Sequence, residues 1–223
     1  MSNIAVIPIG GVGNRMNNDT PKQFLKVNGK SLYLYTLEKF QNNKNIDQIV
    51  IACLDEYRDF VIEECKKYNI TKVVKVVSGG KTQLESIFNC LTLLVDDTLD
   101  DDKVIIHVGN RPNISENLIN RTLDACSKYG SVATFVPEIE VMVQKEEKKV
   151  IPRDNVIRIQ TPQAFLFKNL KDIISNKDQY VGTASTMCDL FINLNKNIEF
   201  IEGELLNFKI TYPEDLELFK KII

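Results

Sequence analysis

Two kinds of segment alternate along the chain, and their hydrophobic patterns differ. Short runs of apolar, mostly β-branched residues have the length and composition of buried strands. These runs are residues 4–9, 49–53, 73–77, 104–107 and 131–136. The polar segments between them carry apolar residues at helical spacing, and they are residues 32–41, 55–68, 82–95 and 115–129. Repeated strand–helix–strand units predict an α/β fold, with a mostly parallel sheet and helices on both of its faces.

The pattern loosens after Pro137. Residues 138–153 mix charged and β-branched side chains, which predicts a projecting hairpin, part of an inserted arm at about residues 138–160. The charge run 145–149 fits the solvated tip of this arm, and a dimer contact lower on the arm is the alternative. We expect the chain to turn at residues 160–163 and to enter a final helix at Pro213, which suits a first helical turn. Residues 1–223 show no repeat or linker and are expected to form a single domain.

Composition and charge narrow the class of protein. Lys and Arg number 28 and Asp and Glu number 30, so the formal net charge is −2. This balance argues against broad binding to nucleic acid or to membrane surfaces, which normally requires a basic excess. No apolar run approaches the roughly 20 residues of a membrane span, and the first apolar run lacks the basic flank of a signal peptide. Five scattered cysteines without a CxxC pair suggest buried, reduced thiols in a cytoplasmic protein.

The most informative stretch is a glycine loop that follows the first predicted strand. Residues 10–13 read Gly-Gly-Val-Gly, and Arg15 and Lys22 follow within ten residues of this loop. Glycines leave backbone N–H groups open to a polyphosphate. The loop lacks the Lys-Ser/Thr ending of a P-loop, and Met16 stands where a dinucleotide fingerprint has its third glycine. Two cations beside such a loop predict charge stabilisation at a nucleotide phosphate.

Further motifs follow in order along the chain. They are Pro21-Lys22-Gln23-Phe24, Gly79-Gly80 with Ser86, Arg111-Pro112, Arg153, Gln160-Thr161-Pro162-Gln163, and Asn207-Phe208-Lys209-Ile210-Thr211. With the glycine loop, they resemble the cytidylyltransferase family that includes 2-C-methyl-D-erythritol 4-phosphate and ribitol-5-phosphate cytidylyltransferases. The resemblance runs nearly end to end and implies a Rossmann-like nucleotidyltransferase fold.

The resemblance also implies the site residues. CTP would be bound by eight positions: Ile9, Gly10, Gly11, Gly13, Gly79, Gly80, Ser86 and Arg111. Arg15, Lys22 and Lys209 would be catalytic, stabilising charge on the phosphates. Arg153 and Thr161 would bind a small polyol phosphate, with Arg153 reaching the site from the arm, possibly of a partner subunit in a homodimer. The acceptor's own phosphate oxygen would be the nucleophile, and Mg²⁺ would bridge the triphosphate.

Departures from the family pattern cluster at the expected chemistry. Val108 stands where the family has the aspartate that holds Mg²⁺, so the metal ligand is unknown. Gln83 replaces an arginine after the Gly-Gly turn, and residues 181–183 replace an acidic stretch. On the arm, Val141 and Val143 replace a threonine and a lysine.

These departures leave three interpretations. The first is an active cytidylyltransferase, with Asp19 or Glu204 as candidate substitutes for the metal ligand. The second is a catalytically impaired homologue that binds a nucleotide or a protein, and the third is a nucleotidyltransferase with another base. His107, the one histidine of the chain, fits the buried end of a strand better than a catalytic acid or base.

Overall fold

The computed structural model describes residues 1–10 and 21–223. The strands are β1 Asn3–Pro8, β2 Lys26–Val27, β3 Lys30–Ser31, β4 Gln48–Cys53, β5 Val73–Ser78, β6 Lys103–Ile106, β7 Ser131–Pro137, β8 Met142–Gln144, β9 Lys149–Ile151, β10 Ile157–Leu166 and β11 Glu199–Glu202. The helices are α1 Leu32–Asn42, α2 Arg58–Lys67, α3 Gln83–Thr92, α4 Glu116–Tyr129, α5 Lys171–Ser175, α6 Met187–Asn193 and α7 Pro213–Ile222. All five predicted strands and all four predicted helices are present, with ends shifted by up to three residues.

A seven-stranded sheet forms the centre of the molecule, in the order β11-β7-β10-β6-β1-β4-β5. β1 pairs in parallel with β4 on one side and with β6 on the other, so Ala5 lies between Ile49 and Ile105. β10 runs antiparallel to both of its neighbours, β6 and β7. The predicted α/β fold with a mostly parallel sheet is confirmed. Because the strand order reverses at β1, the crevice beyond its carboxyl end is the expected place for a ligand.

Alternation along the strands explains the two-sided core. Ala5 and Ile7 of β1 pack with α1, α2 and α4 on one face of the sheet. Ile4 and Val6 pack with α3, α5 and α6 on the other face. Successive side chains of a strand point to opposite faces, so a strand covered on both sides is apolar throughout.

Side-chain caps fix where several helices begin. Ser115 accepts a hydrogen bond from the Leu118 N–H at 3.0 Å, as its sequence position predicts. Pro213 is the first residue of α7, also as predicted, and Asp215 accepts from the Tyr212 N–H at 2.8 Å. The starts of α4 and α7 could therefore be predicted in the sequence from Ser115 and Pro213.

The prediction of a turn at residues 160–163 is wrong, because these residues lie within β10. β10 pairs with β7 through residues 157–159 and again through residues 163–165, with a register shift between Ile159 and Gln163. Pro162 has no N–H to donate, which interrupts the ladder without ending the strand. Five further elements were not predicted: the helices α5 and α6, the short strands β2 and β3, and the edge strand β11.

The arm is a small hairpin outside the main sheet. β8 and β9 pair antiparallel, with Val143 opposite Val150. The tip at residues 145–148 is exposed, which confirms the predicted solvated charge run. The main sheet resumes at Ile157, the first residue of β10.

Within the described ranges, none of the helices combines the length and the apolar character that crossing a bilayer requires.

Candidate active site

Most of the predicted site residues lie along one edge of the sheet, where β1, β4, β5 and β6 end. Gly11, Gly13, Arg15 and the candidate metal ligand Asp19 fall in residues 11–20, outside the described residues. Arg153 is exposed, in a one-turn 3₁₀ helix after the arm, and does not line the cavity described below. The structure therefore brings together the predicted residues from β1, β5, β6, β10 and the segment before α7.

The glycines after β1 and β5 pack around one serine. Ser86 of α3 accepts a hydrogen bond from the Gly80 N–H at 3.0 Å and donates to the Thr82 carbonyl at 2.9 Å. A Cβ at Gly79 would lie 3.2 Å from the Ser86 Oγ, and a Cβ at Gly10 would lie 3.5 Å from it. Ser86 and the three glycines around it form a compact cluster, Gly10, Gly79, Gly80 and Ser86, that we call the glycine pocket.

Gly80 is required by sterics as well as by hydrogen bonding. A Cβ there would lie 2.2 Å from the Cβ of Glu85, in the first turn of α3. Glu85 in turn accepts from the Lys81 N–H at 3.0 Å, and its own N–H is capped by Thr82. The turn after β5 is thus held against the amino-terminal end of α3.

Lys22 lies beside the end of β1 because its neighbour is anchored there. Gln23 donates from Nε2 to the Ile9 carbonyl at 2.6 Å, and both Lys22 and Gln23 are buried. Ile9, a predicted nucleotide-binding residue, is also buried, and its backbone N–H donates to the Ala52 carbonyl at 2.7 Å. The one-turn helix Lys22–Phe24 thus keeps a cation close to the start of the glycine loop.

A cavity of about 300 Å³ opens next to the glycine pocket. Arg111, Lys209 and Thr161 line it, and Gln83, the first residue of α3, lines it on the side of the Gly79-Gly80 turn. Burial and the nearby Arg158 lower the pKa of Arg111 to about 10, so its guanidinium stays charged at neutral pH. Two cations therefore face one cavity, and phosphate oxygens are the natural partners for such a pair.

The cavity offers few oxygen ligands for a cation. Among its described lining residues, Asp189 alone carries a carboxylate, and Thr186 and the Ser185 N–H occupy both of its oxygens. Val108 is buried and apolar at the family's aspartate position. Glu204 does not line the cavity, because it accepts from the Ser115 hydroxyl at 2.6 Å and lies 3.9 Å from Arg121. No cluster of three metal-ligating side chains exists in the described ranges, so this donor set does not fit Mg²⁺.

Thr161 borders the cavity but directs its hydroxyl inward. Its Oγ lies 3.1 Å from the Nδ1 of His107 and 3.4 Å from the Val108 nitrogen. His107 is fully buried at the end of β6, as predicted, and burial lowers its pKa to about 3. The imidazole is therefore neutral and serves as a hydrogen-bonding element.

Sequence reasoning missed one wall of the cavity. Residues 181–183, at the position of the family's acidic stretch, do not line the cavity. Thr186, Cys188 and Asp189 in the following segment do line it. The Thr186-x-x-Asp189 capping pattern was the available signal for a helix start there. Gln160 and Gln163 also line the cavity, and Gln163 accepts from the Cys188 N–H at 3.1 Å.

Comparison with known proteins gives concordant matches. The family model described as IspD, 2-C-methyl-D-erythritol 4-phosphate cytidylyltransferase, matches residues 3–223. A ribitol-5-phosphate cytidylyltransferase from Vibrio parahaemolyticus is 38% identical over 99% of this chain and 95% of its own length. A 2-C-methyl-D-erythritol 4-phosphate cytidylyltransferase from Thermosipho melanesiensis is 38% identical over 97% and 95%.

Solved structures agree with the sequence matches. The crystal structure of 2-C-methyl-D-erythritol 4-phosphate cytidylyltransferase from Francisella tularensis superposes with a TM-score of 0.83 at 26% identity, covering 100% of both chains. A 4-diphosphocytidyl-2C-methyl-D-erythritol synthase from Anaerococcus prevotii also gives 0.83 at 26% identity, covering 99% of this chain and 95% of its own.

Proposed function

This chain belongs to the 2-C-methyl-D-erythritol 4-phosphate cytidylyltransferase family, and from that membership we propose that it transfers CMP from CTP to a phosphorylated polyol. In this reaction an oxygen of the acceptor phosphate attacks the α-phosphorus of CTP. The bond from the α-phosphorus to the bridging oxygen breaks, and pyrophosphate leaves. The acceptor phosphate is largely ionised near neutral pH, since its second pKa is about 6. The chain need not supply a general base.

One observation carries the proposal: Arg111 and Lys209 line the same cavity, and Gln83, which also lines it, begins the helix that carries Ser86 of the glycine pocket. We place the nucleoside of CTP against the glycine pocket, as membership of the family implies. The phosphates then extend toward the two cations. Fixed positive charge stabilises the charge that develops on the phosphate oxygens in the transition state.

The remaining phosphate contacts follow from the family. We propose that Lys22 and Arg15 neutralise the triphosphate from the side of the glycine loop, together with the backbone of Gly11 and Gly13. The place of Lys22 supports this role, because the hydrogen bond from Gln23 to Ile9 holds it beside the start of the glycine loop. For Arg15, Gly11 and Gly13 the support is the family alone.

The acceptor is proposed to be a polyol phosphate, with ribitol 5-phosphate as the first candidate. Relatives at 36–38% identity are named ribitol-5-phosphate cytidylyltransferases, whereas other relatives are named for 2-C-methyl-D-erythritol 4-phosphate. Thr161 would contact the acceptor through its backbone or methyl group, because its hydroxyl is turned toward His107.

Charge at the α-phosphate is assigned to the cations of the chain. The family leads us to expect Mg²⁺ with the nucleotide, but the described residues present no oxygen cluster to hold it. We therefore propose that the ion is bound by the triphosphate and not by a carboxylate of residues 1–10 or 21–223.

The arm is proposed to form a homodimer contact. Val141, Val143 and Val150 are 73%, 51% and 60% exposed, which is unusual for valines on a hairpin of a lone molecule. A second copy would cover them and would bring its Arg153 toward the acceptor. We also place the enzyme in the cytoplasm, in keeping with five buried free cysteines.

The test is pyrophosphate release with CTP and a panel of acceptors that includes ribitol 5-phosphate and 2-C-methyl-D-erythritol 4-phosphate. ATP, GTP and UTP in place of CTP separate the proposal from a different base preference. Arg111→Gln and Lys209→Gln should each lower kcat/KM by about 10²-fold or more. The matched control is Lys168→Gln, which removes an exposed lysine paired with Asp101. Absence of turnover across the panel, with calorimetry showing no CTP binding, would refute the proposal and favour the non-catalytic alternative.

A further inference from the structure

Four residues beside the cavity form a closed ring of hydrogen bonds. His107 contacts the Arg111 carbonyl through Nε2 at 3.0 Å, and Arg111 Nη1 donates to the Asn207 carbonyl at 2.5 Å. Asn207 Nδ2 donates to the Thr161 carbonyl at 2.8 Å, and the Thr161 hydroxyl returns to His107 Nδ1 at 3.1 Å. The ring links three segments that are far apart in sequence: the turn after β6, the irregular part of β10, and the segment before α7.

The chemistry of the ring fixes the position of each proton. A carbonyl can only accept, so Nε2 of His107 carries the hydrogen and donates to Arg111. Nδ1 is then an acceptor, and the Thr161 hydroxyl donates to it. One lone pair of that hydroxyl accepts from the Val108 N–H at 3.4 Å. The low pKa of the buried imidazole agrees with a neutral ring, and the partners at its two nitrogens set the tautomer.

A second clamp runs alongside the ring. Asn110 donates from Nδ2 to the Ile210 carbonyl at 2.9 Å, and the Ile210 N–H donates to the Asn110 carbonyl at 2.9 Å. Lys209 therefore lies between two residues, Asn207 and Ile210, that are both bonded to the turn after β6. The backbone that carries Lys209 and the backbone that carries Arg111 are held in one register.

We propose that His107 is a positioning residue for the reaction: through Thr161 and Arg111 it sets the cavity wall and the cation pair without touching substrate. This inference rests on the proposed function, since the cation pair acts on the phosphates. Misplacing such groups by about 1 Å can cost on the order of 10²-fold in rate, so the ring has kinetic consequences.

Two substitutions of His107 separate its two bonds. His107→Gln places an amide N–H near the Nε2 position, keeping the bond to Arg111 and losing the acceptor for Thr161. His107→Asn can keep an acceptor near Nδ1 and loses the donor to Arg111. Thr161→Val removes the same bond as His107→Gln from the other side.

The matched control is Thr122→Val. Thr122 is also fully buried, and its hydroxyl donates to the Leu118 carbonyl at 2.7 Å within α4, away from the cavity lining. This variant should lower the melting temperature while leaving kcat/KM unchanged. It measures what the loss of a buried threonine hydroxyl does to the fold alone.

The kinetic result expected is a loss of about 10- to 100-fold in kcat/KM for His107→Gln and for Thr161→Val, mostly in kcat. The double variant, His107→Gln with Thr161→Val, should lose no more kcat/KM than the worse single variant, because the two substitutions remove the same hydrogen bond. Variants that melt lower, as Thr122→Val does, but keep kcat/KM within about twofold would overturn the positioning role.

A second, spectroscopic experiment does not require turnover. Because His107 is the one histidine of the chain, ¹⁵N spectra of its imidazole need no assignment. We expect the Nε2–H tautomer, an Nδ1 shift that moves in Thr161→Val, and a response to saturating CTP. The other tautomer, or an Nδ1 signal indifferent to Thr161→Val, would overturn the ring. If the protein shows the expected tautomer and the expected effect of Thr161→Val but no turnover with any acceptor, the proposed function is refuted. The hydrogen-bonded ring is then retained.

Discussion

A Cβ on Gly109 would lie 2.2 Å from the Cγ2 of Ile9. The turn after β6 therefore closes directly against the residue that begins the glycine loop. The contact is side chain against backbone, and Ile9 is branched at Cβ and buried, so it cannot swing aside cheaply. The end of β1 and the turn after β6, which both lead into site residues, are therefore packed together here.

Gly109→Ala should accordingly destabilise the protein by about 1–3 kcal/mol and weaken CTP binding, because the clash displaces Ile9. Urea unfolding and calorimetry with CTP measure the two effects. Ile9→Ala in the Gly109→Ala background removes the offending Cγ2 and should recover part of both losses relative to additivity. Strictly additive effects of the two substitutions would show that the contact does not couple these segments.

Val108→Asp should make CTP binding depend on Mg²⁺ more strongly than in the parent. The new carboxylate would supply a hard oxygen ligand beside Arg111, whereas Asp189, the carboxylate of the described lining, is already bonded to Ser185 and Thr186. Calorimetric titration of CTP with and without Mg²⁺ compares the variant and the parent. Val108→Asn is the control, because it has the same shape without the charge. A parent that already gains more than about tenfold in CTP affinity from Mg²⁺ would place the metal ligand elsewhere.

Acid should unfold the protein partly through His107. The folded pKa is near 3, whereas the unfolded imidazole titrates near 6.5. Between these values the unfolded state binds more protons, so stability is present above the unfolded pKa and falls as the pH drops, by about 1.4 kcal/mol per pH unit. His107→Gln should flatten this slope between about pH 4 and 6 in urea unfolding. Parallel slopes for parent and variant would contradict the burial of a neutral imidazole.

Val143→Asp on the arm should weaken self-association by about tenfold or more, because it would bury a charge in an apolar contact. Sedimentation at micromolar concentrations measures the change. Val74→Asp is the control, since Val74 is 49% exposed on the edge strand β5 and away from the arm. A parent that sediments as a monomer would refute the arm contact and, with it, a role for Arg153 across the interface.

The main sheet could be predicted because its parallel strands are buried on both faces, as in residues 4–8 and 49–53. β11 was missed because three of its four residues are exposed, so an edge position left no hydrophobic signal. Pro162 leads the sequence to predict a turn at residues 160–163, because proline commonly marks turns and loops. Here β7 pairs with β10 before and after this stretch, at residues 157–159 and 163–165, and β6 pairs from Gln163 onward, so the strand continues through it.

The candidate site divides in the same way. Gly79, Gly80 and Ser86 could be found because their spacing is local, and the structure packs them together. The bond between Thr161 and His107 spans 54 positions and leaves no trace in local pattern. Arg153 was expected at the site, yet within one chain it stays exposed beside the arm. The spacing of residues along the chain cannot predict a contact with a strand that is distant in sequence or with a second copy.

The pairing of β10 divides this strand into two parts with different tolerance for change. The arm enters β10 at Ile157, and from Gln163 onward the strand is paired with β6 and β7 on both sides. Insertions, deletions or repacking in residues 138–156 lie outside the strand, so they can alter the proposed contact with a second copy and the reach of its Arg153 while the pairing beyond Gln163 is kept. Assembly and acceptor binding are therefore expected to change together, whereas the sheet beside the cavity stays the same.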